Sequence, residues 1–133
     1  MSAAFIMRAL LAAHAPLTAL VPAARIVAGR VPEGALPAIG VSEIGGNEQD
    51  TVARAGNSLI TSRVQVTVYA TSYPQQKAIL KAAKLGAGVF TGTIAGYAVR
   101  SVLREAIGPD LGDSTIPTYE QSRDFKVTYI EPI

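Results

Sequence analysis

Residues 62–88, SRVQVTVYATSYPQQKAILKAAKLGAG, change their periodicity halfway along. Residues 64–70 alternate apolar with polar side chains, which predicts a strand with one buried face. Apolar side chains then recur at helical spacing over residues 79–83, with lysines on the opposite side. Ser72 and Pro74 suit an N-cap and a first helical turn. The segment therefore predicts a strand followed directly by an amphipathic helix.

Patterns elsewhere predict a first helix and further strands. The first helix covers Ala3–His14, where Ser2 suits an N-cap and Pro16 ends the pattern. Residues 45–58 and 106–118 are polar stretches between strands, and we expect both to project as loops. The predicted strands cover residues 25–28, 37–44, 59–70, 94–105 and 119–131, and the second helix covers residues 73–85.

This order of elements predicts the fold class. Helix, strands, helix and strands follow one another in a chain of 133 residues, which fits one domain over residues 1–133. We expect an α+β domain, with a mostly antiparallel sheet of about four strands and helices packed on one face.

Composition excludes several kinds of chemistry. The chain has no cysteine, so it has no disulfide, thiolate zinc site or cysteine nucleophile. Its net charge of +2 comes from scattered lysines and arginines, which does not by itself indicate nucleic acid or an anionic membrane as a partner.

The N-terminal segment, residues 1–21, is the one stretch that resembles a targeting signal. Arg8 interrupts its apolar run, and the run is too short to span a bilayer. We interpret it as a folded helix. Because that helix is apolar almost all round, we expect it to be covered on more than one side, with a neighbouring subunit as a candidate for one of the covers.

Two sequence features are candidates for a catalytic or phosphate-binding site. Gly86–Gly92 lacks the spacing of a phosphate loop and follows a helix, so a helix C-cap and turn is the better interpretation. His14 is the only histidine, and no motif places a serine or aspartate beside it. The sequence therefore predicts no catalytic residue, cofactor or metal ion.

Charged residues gave two weaker candidates. Two carboxylate pairs lie in the predicted loops, Asp110 with Asp113 and Glu48 with Asp50, and neither matches the twelve-residue calcium loop. Three arginines could form a basic strip on the exposed sheet face, for which ordinary solvation is the alternative. They are Arg63, Arg100 and Arg104.

Four segments together resemble a known family. In order they are ALLAAHAPLTALV, RIVAGRVPEGALPAIGVSEI, SRVQVTVYATSYPQQKAILKAA and SRDFKVTYIE, and they extend over nearly the whole chain. Their order and spacing resemble those of the tail-completion proteins of long-tailed phages and prophages, a family related in fold to the tail terminators.

The resemblance implies a structural virion protein without enzymatic activity. It implies a ring, expected to be a hexamer, at the head-proximal end of the tail tube, joined to the head connector. The partners would be other copies of the chain, the tail-tube protein and the head–tail connector. Double-stranded DNA would pass through the lumen without specific binding, and no membrane is involved. Such a protein is assembled in the host cytoplasm and resides in the virion.

On this basis we assign roles to residues as hypotheses. An apolar helix face and an open strand edge are expected to form the subunit interface. The helix residues are Phe5, Ile6, Leu10 and Leu11, and contact with a partner ring is assigned to Glu48, Asp50 and Arg54. A head–tail adaptor or stopper, a tail-tube subunit and a small-ligand-binding domain remain alternatives.

Overall fold

The computed structural model describes residues 3–29, 36–50, 57–85, 91–109, 111–113 and 118–132. Its helices are α1 (Ala3–Ala13), α2 (Ala15–Thr18) and α3 (Tyr73–Ala82), with a short 3₁₀ turn at Ala23–Arg25. Its strands are β1 (Ile26–Ala28), β2 (Ala38–Asp50), β3 (Asn57–Ala70), β4 (Gly92–Ile94), β5 (Tyr97–Ile107), β6 (Leu111–Asp113) and β7 (Thr118–Pro132). The α+β class is confirmed.

The sheet is larger and more mixed than the sequence predicted. Seven strands take part, in the order β1-β2-β3-β7-β5-β4, and β6 pairs with β7. β1 runs parallel to β2, whereas the other pairs are antiparallel. The prediction of about four strands was wrong because β4 and β6, which were not predicted as separate strands, are only three residues long and too short to show a periodicity.

A tight turn divides one predicted strand into two. Ala95 and Gly96 have φ angles of 53° and 84°, as the two-residue turn of a hairpin requires. Ile94 therefore pairs with Tyr97, and the predicted strand over residues 94–105 becomes the end of β4 and most of β5.

The sheet curls around α1. This helix contacts β1 at one edge of the sheet and β4 at the other, as well as β2, β3 and β7 between them. Ile6, Met7 and Leu11 are fully buried in one core that also contains Ile79 of α3. Both long helices therefore lie on the same face of the sheet, as predicted, and the opposite face, here called the helix-free face, carries no helix among the described residues.

The start of α1 is held by a strand. Oε1 of Glu43, on β2, accepts hydrogen bonds from the backbone nitrogens of Ala3 and Ala4 at 2.8 and 3.3 Å. Nε of Arg8 donates to the carbonyl of Ile26, at 2.9 Å. The predicted cap, Ser2, lies outside the described residues. The second cap is confirmed, because the Ser72 hydroxyl accepts from the backbone nitrogen of Gln75.

The first predicted loop is mostly strand. Pairing between β2 and β3 continues from Gly45 opposite Arg63 to Asp50 opposite Ser58, after a bulge at Ile44. We call this extension, residues 45–50 with residues 57–62, the β2–β3 arm. Residues 44–48 are exposed, so no alternation of buried and exposed side chains reveals this part of the strand in the sequence. The second predicted loop likewise contains β6.

Candidate assembly surfaces

Two long strand edges are open in the described part of the chain. β1 pairs with β2 only over Ile39–Val41, so Ser42–Asp50 has β3 on one side and no described strand on the other. We call Ser42–Asp50 the β2 edge. β4 pairs with β5 only over Tyr97–Val99, so Arg100–Ile107, here the β5 edge, is open in the same way. The two edges lie on opposite sides of the sheet.

Exposed apolar side chains accompany both edges. Ile44 on the β2 edge is 47% exposed, and on the β5 edge Leu103 and Ile107 are 41% and 57% exposed. Unpaired backbone groups beside exposed apolar side chains are suited to adding a strand from another chain. These edges are the structural features most suited to assembly.

The interface hypothesis for α1 is wrong for two of its four residues. Ile6 and Leu11 have no exposed surface, because the curled sheet covers them within the same chain. Leu10 is half-buried against the core. Phe5 is 59% exposed and is the one exposed member of the set.

The predicted contact residues of the first loop are only partly described. Glu48 is an exposed residue of β2, on the β2–β3 arm. Asp50 ends β2, and its side chain and the whole of Arg54 lie outside the described part of the structure.

The predicted basic strip does not form. Arg63 lies on the helix-free face, where Nη2 is 2.9 Å from Oδ2 of Asp124 and Nε is 3.4 Å from Oε2 of Glu105. Arg104 lies opposite Phe125 in the sheet and so shares the other face, and Arg100 lies at a bulge in β5. The bulge at Arg100 shifts the alternation of side chains along β5 by one residue, and this shift separates Arg104 from Arg63.

The helix-free face is polar and bonded to itself. The hydroxyls of Thr61 and Thr128 lie 3.3 Å apart, and Nε2 of Gln65 donates to Oγ of Ser122. A shallow depression of about 350 Å³ lies over Arg63, between the β2–β3 arm and β5. Its lining has no acid, base and nucleophile in a catalytic arrangement.

The other sequence candidates carry no site in the described residues. His14 lies between α1 and α2, and no described group hydrogen-bonds its imidazole ring. The described residues contain no group of three side chains suited to hold a metal ion, and no described helix is long and apolar enough to cross a membrane. The phosphate-loop candidate, Gly86–Gly92, lies mostly outside the described residues, as does Asp110.

One unusual residue was missed from the sequence. Arg123 points to the buried face of β7, in line with Phe125 and Val127, and is only 7% exposed. Its Nε atom has no hydrogen-bond partner. Burial, and next the charge of Arg104, lower the pKa of Arg123 below its ordinary value. The sequence did contain a signal for this residue, because Arg123 is a charged residue at an inward position of an alternating strand.

The fold is a curled α+β sheet with two edges that are open among the described residues. A family model described as "Tail completion protein gp17" matches residues 6–85. The chain therefore belongs to the tail completion protein gp17 family, which consists of structural proteins of the phage tail, as the sequence resemblance predicted.

The fold is also found in a virus-like particle. A chain from the structure titled "Virion of native gene transfer agent (GTA) particle" matches with a TM-score of 0.64 and 17% sequence identity. The match covers 98% of this chain and 95% of that one, so the likeness of fold extends over the whole domain. A search of curated proteins finds no match.

Proposed function

We propose that this protein closes as a ring, a hexamer, on the head-proximal end of a phage tail tube and joins the tube to the head connector. Membership of the tail completion family gives the setting. The single observation that supports a ring best is the pair of open edges on opposite sides of one sheet. Joining one edge to the other edge of the next copy is a heterologous contact, and such contacts close into rings when the rotation fits.

We assign the helix-free face to the lumen. Helices cover the other face. On the helix-free face, polar side chains of β3 and β7 are hydrogen-bonded to each other. Arg63 on this face is neutralised by Glu105 and Asp124. Double-stranded DNA would then meet few unpaired cations and would pass without specific binding, because each phosphate contact adds affinity.

The test is addition of the purified protein to tail tubes and, separately, to connector-bearing heads. Under the proposal, rings appear on the head-proximal ends of tubes, and capped tubes then join heads. Imaging by negative stain counts capped ends, and mass measurement of the capping ring gives the number of copies.

Other outcomes would support other roles. Binding to heads without tubes would move the protein to the head side of the joint, as an adaptor or stopper. Incorporation along the tube would identify a tube subunit. A protein that ignores both structures would contradict the proposed function and favour a ligand-binding domain.

A further inference from the structure

Arg123 is a buried cation without a described counter-ion. Its neighbours across the sheet are Val66 on β3 and Ile107 on β5, and neither offers a carboxylate. The ion pairs of the described residues join Arg63 to Glu105 and Asp124 and do not include Arg123. Arg123 is 7% exposed, and its Nε atom has no hydrogen-bond partner.

The next inward side chain of β7 is bonded to groups other than Arg123. Gln121, the next inward residue of β7, accepts from Nζ of Lys77 at 2.7 Å and donates to the carbonyl of Gly108 at 2.9 Å. The charge that acts on Arg123 comes from Arg104, which has the same sign. A buried charge in such surroundings is unfavourable unless an acid reaches it.

Arg123 lies one strand in from the β5 edge, because its partner on β5 is Ile107. Ile107, its direct partner, and Leu103 are among the most exposed large apolar side chains of the described chain. Arg104 is exposed beside them. An approaching chain would cover the apolar side chains and bring a carboxylate over the two arginines, a combination typical of interface hot spots.

The chain itself carries a suitable acid at its other open edge. Glu48 is exposed on the β2 edge, and no described group forms a hydrogen bond or ion pair with it. The β2 and β5 edges thus have opposite charge at Glu48 and at Arg104, and they lie on opposite sides of the sheet. Charge complementarity of this kind fixes partner and register.

We propose that Glu48 of one copy pairs with Arg123 and Arg104 of the next copy, so that the β2 edge of each subunit docks on the β5 edge of its neighbour. This inference rests on the proposed function, because it names the contact through which the ring closes. In this contact Arg123 is the buried partner of Glu48, and Arg104 is the exposed charge that attracts Glu48 to the β5 edge.

The test is a charge exchange in the full chain. Glu48→Arg and Arg104→Glu each weaken self-association by about tenfold or more, measured by sedimentation over a concentration series. The double variant, Glu48→Arg with Arg104→Glu, recovers association to near the original value. Lys81→Glu, which reverses an exposed charge on α3, is the matched control and leaves association unchanged.

A second variant tests the buried anchor. Arg123→Met keeps the volume and removes the charge, so the isolated chain becomes more stable to heat while its self-association weakens. An arginine with a merely structural role would not give both results, because its loss would lower thermal stability or leave self-association intact.

Three results would overturn the inference. They are a double variant no better than the single ones, an Arg123→Met chain that associates normally, and an original chain that stays monomeric at millimolar concentration. If tubes are still capped in any of these cases, the proposed function stands and only this contact is lost. If charge exchange restores association but tubes are never capped, the contact stands and the proposed function is lost.

Discussion

Tyr69 on β3 lies directly opposite Glu120 on β7, and both side chains lie on the helix-free face. Burial, and next the charge of Glu120, raise the pKa of the Tyr69 phenol above its ordinary value of 10.0. The folded protein therefore holds the phenol proton more tightly than the unfolded chain does.

This difference predicts a loss of stability in alkaline solution. The contribution of Tyr69 to the free energy of unfolding is fully present at pH values below its ordinary pKa. This contribution is lost as the pH rises through the higher pKa of the folded state. The difference in unfolding free energy between the original chain and Tyr69→Phe should shrink between about pH 9 and pH 11. Glu120→Gln should weaken this pH dependence, whereas Glu48→Gln, at a remote site, should preserve it. Urea unfolding at several pH values measures the free energy of unfolding of the original chain and of the three variants.

Truncation of two neighbouring residues of α1 should change the stability by very different amounts. Ile6 is fully buried, so Ile6→Ala should lower the free energy of unfolding by about 2–5 kcal/mol. Phe5 is 59% exposed, and Phe5→Ala should change it by less than about 0.5 kcal/mol. Chemical denaturation of the two variants measures both values. A large loss from Phe5→Ala would mean that its ring is covered within the same chain.

Replacing Ala95 should stabilise the hairpin. Its φ of 53° lies in the left-handed region, which is unfavourable for alanine and is tolerated by asparagine. Asn before Gly96 is also the preferred pair for this turn. Ala95→Asn should therefore raise the free energy of unfolding by about 0.5–1 kcal/mol, and the melting temperature should rise with it. Ala98→Asn, which places asparagine at an exposed position of β5, is the control and should give no gain.

The contact between Glu43 and the start of α1 can be tested by truncation. Glu43→Ala leaves two backbone N–H groups without their acceptor and should cost about 1–2 kcal/mol. Glu48→Ala on the same strand should cost less than about 0.5 kcal/mol, because its side chain is exposed. Equal losses from the two variants would argue against this cap.

The sequence predicted the long elements well because each contains its own signal. The alternation around Val64 and Phe125 and the cap at Ser72 are local, and they specified β3, β7 and α3. The cover over α1 was wrongly assigned to a neighbour, because curling of the sheet depends on which strands lie at its edges. No local pattern specifies that order.

The candidate site was harder to predict for a related reason. Arg63 and Arg104 occur in strands with clear periodicity, but the bulge at Arg100 shifts the alternation along β5 and places them on different faces. Glu48 was assigned to a loop because residues 44–48 of β2 are all exposed, so strand pairing there leaves no hydrophobic pattern.

The strand order also has a consequence for biosynthesis. β7 is the last strand in the chain, yet it lies inside the sheet between β3 and β5. A ribosome therefore releases the edge-forming strands before the strand that joins the two halves of the sheet exists, and these long-range pairings are slow to form. The nascent chain cannot display its two assembly edges at their final spacing until β7 is in place, so that premature joining of unfinished subunits is disfavoured by the order of synthesis itself.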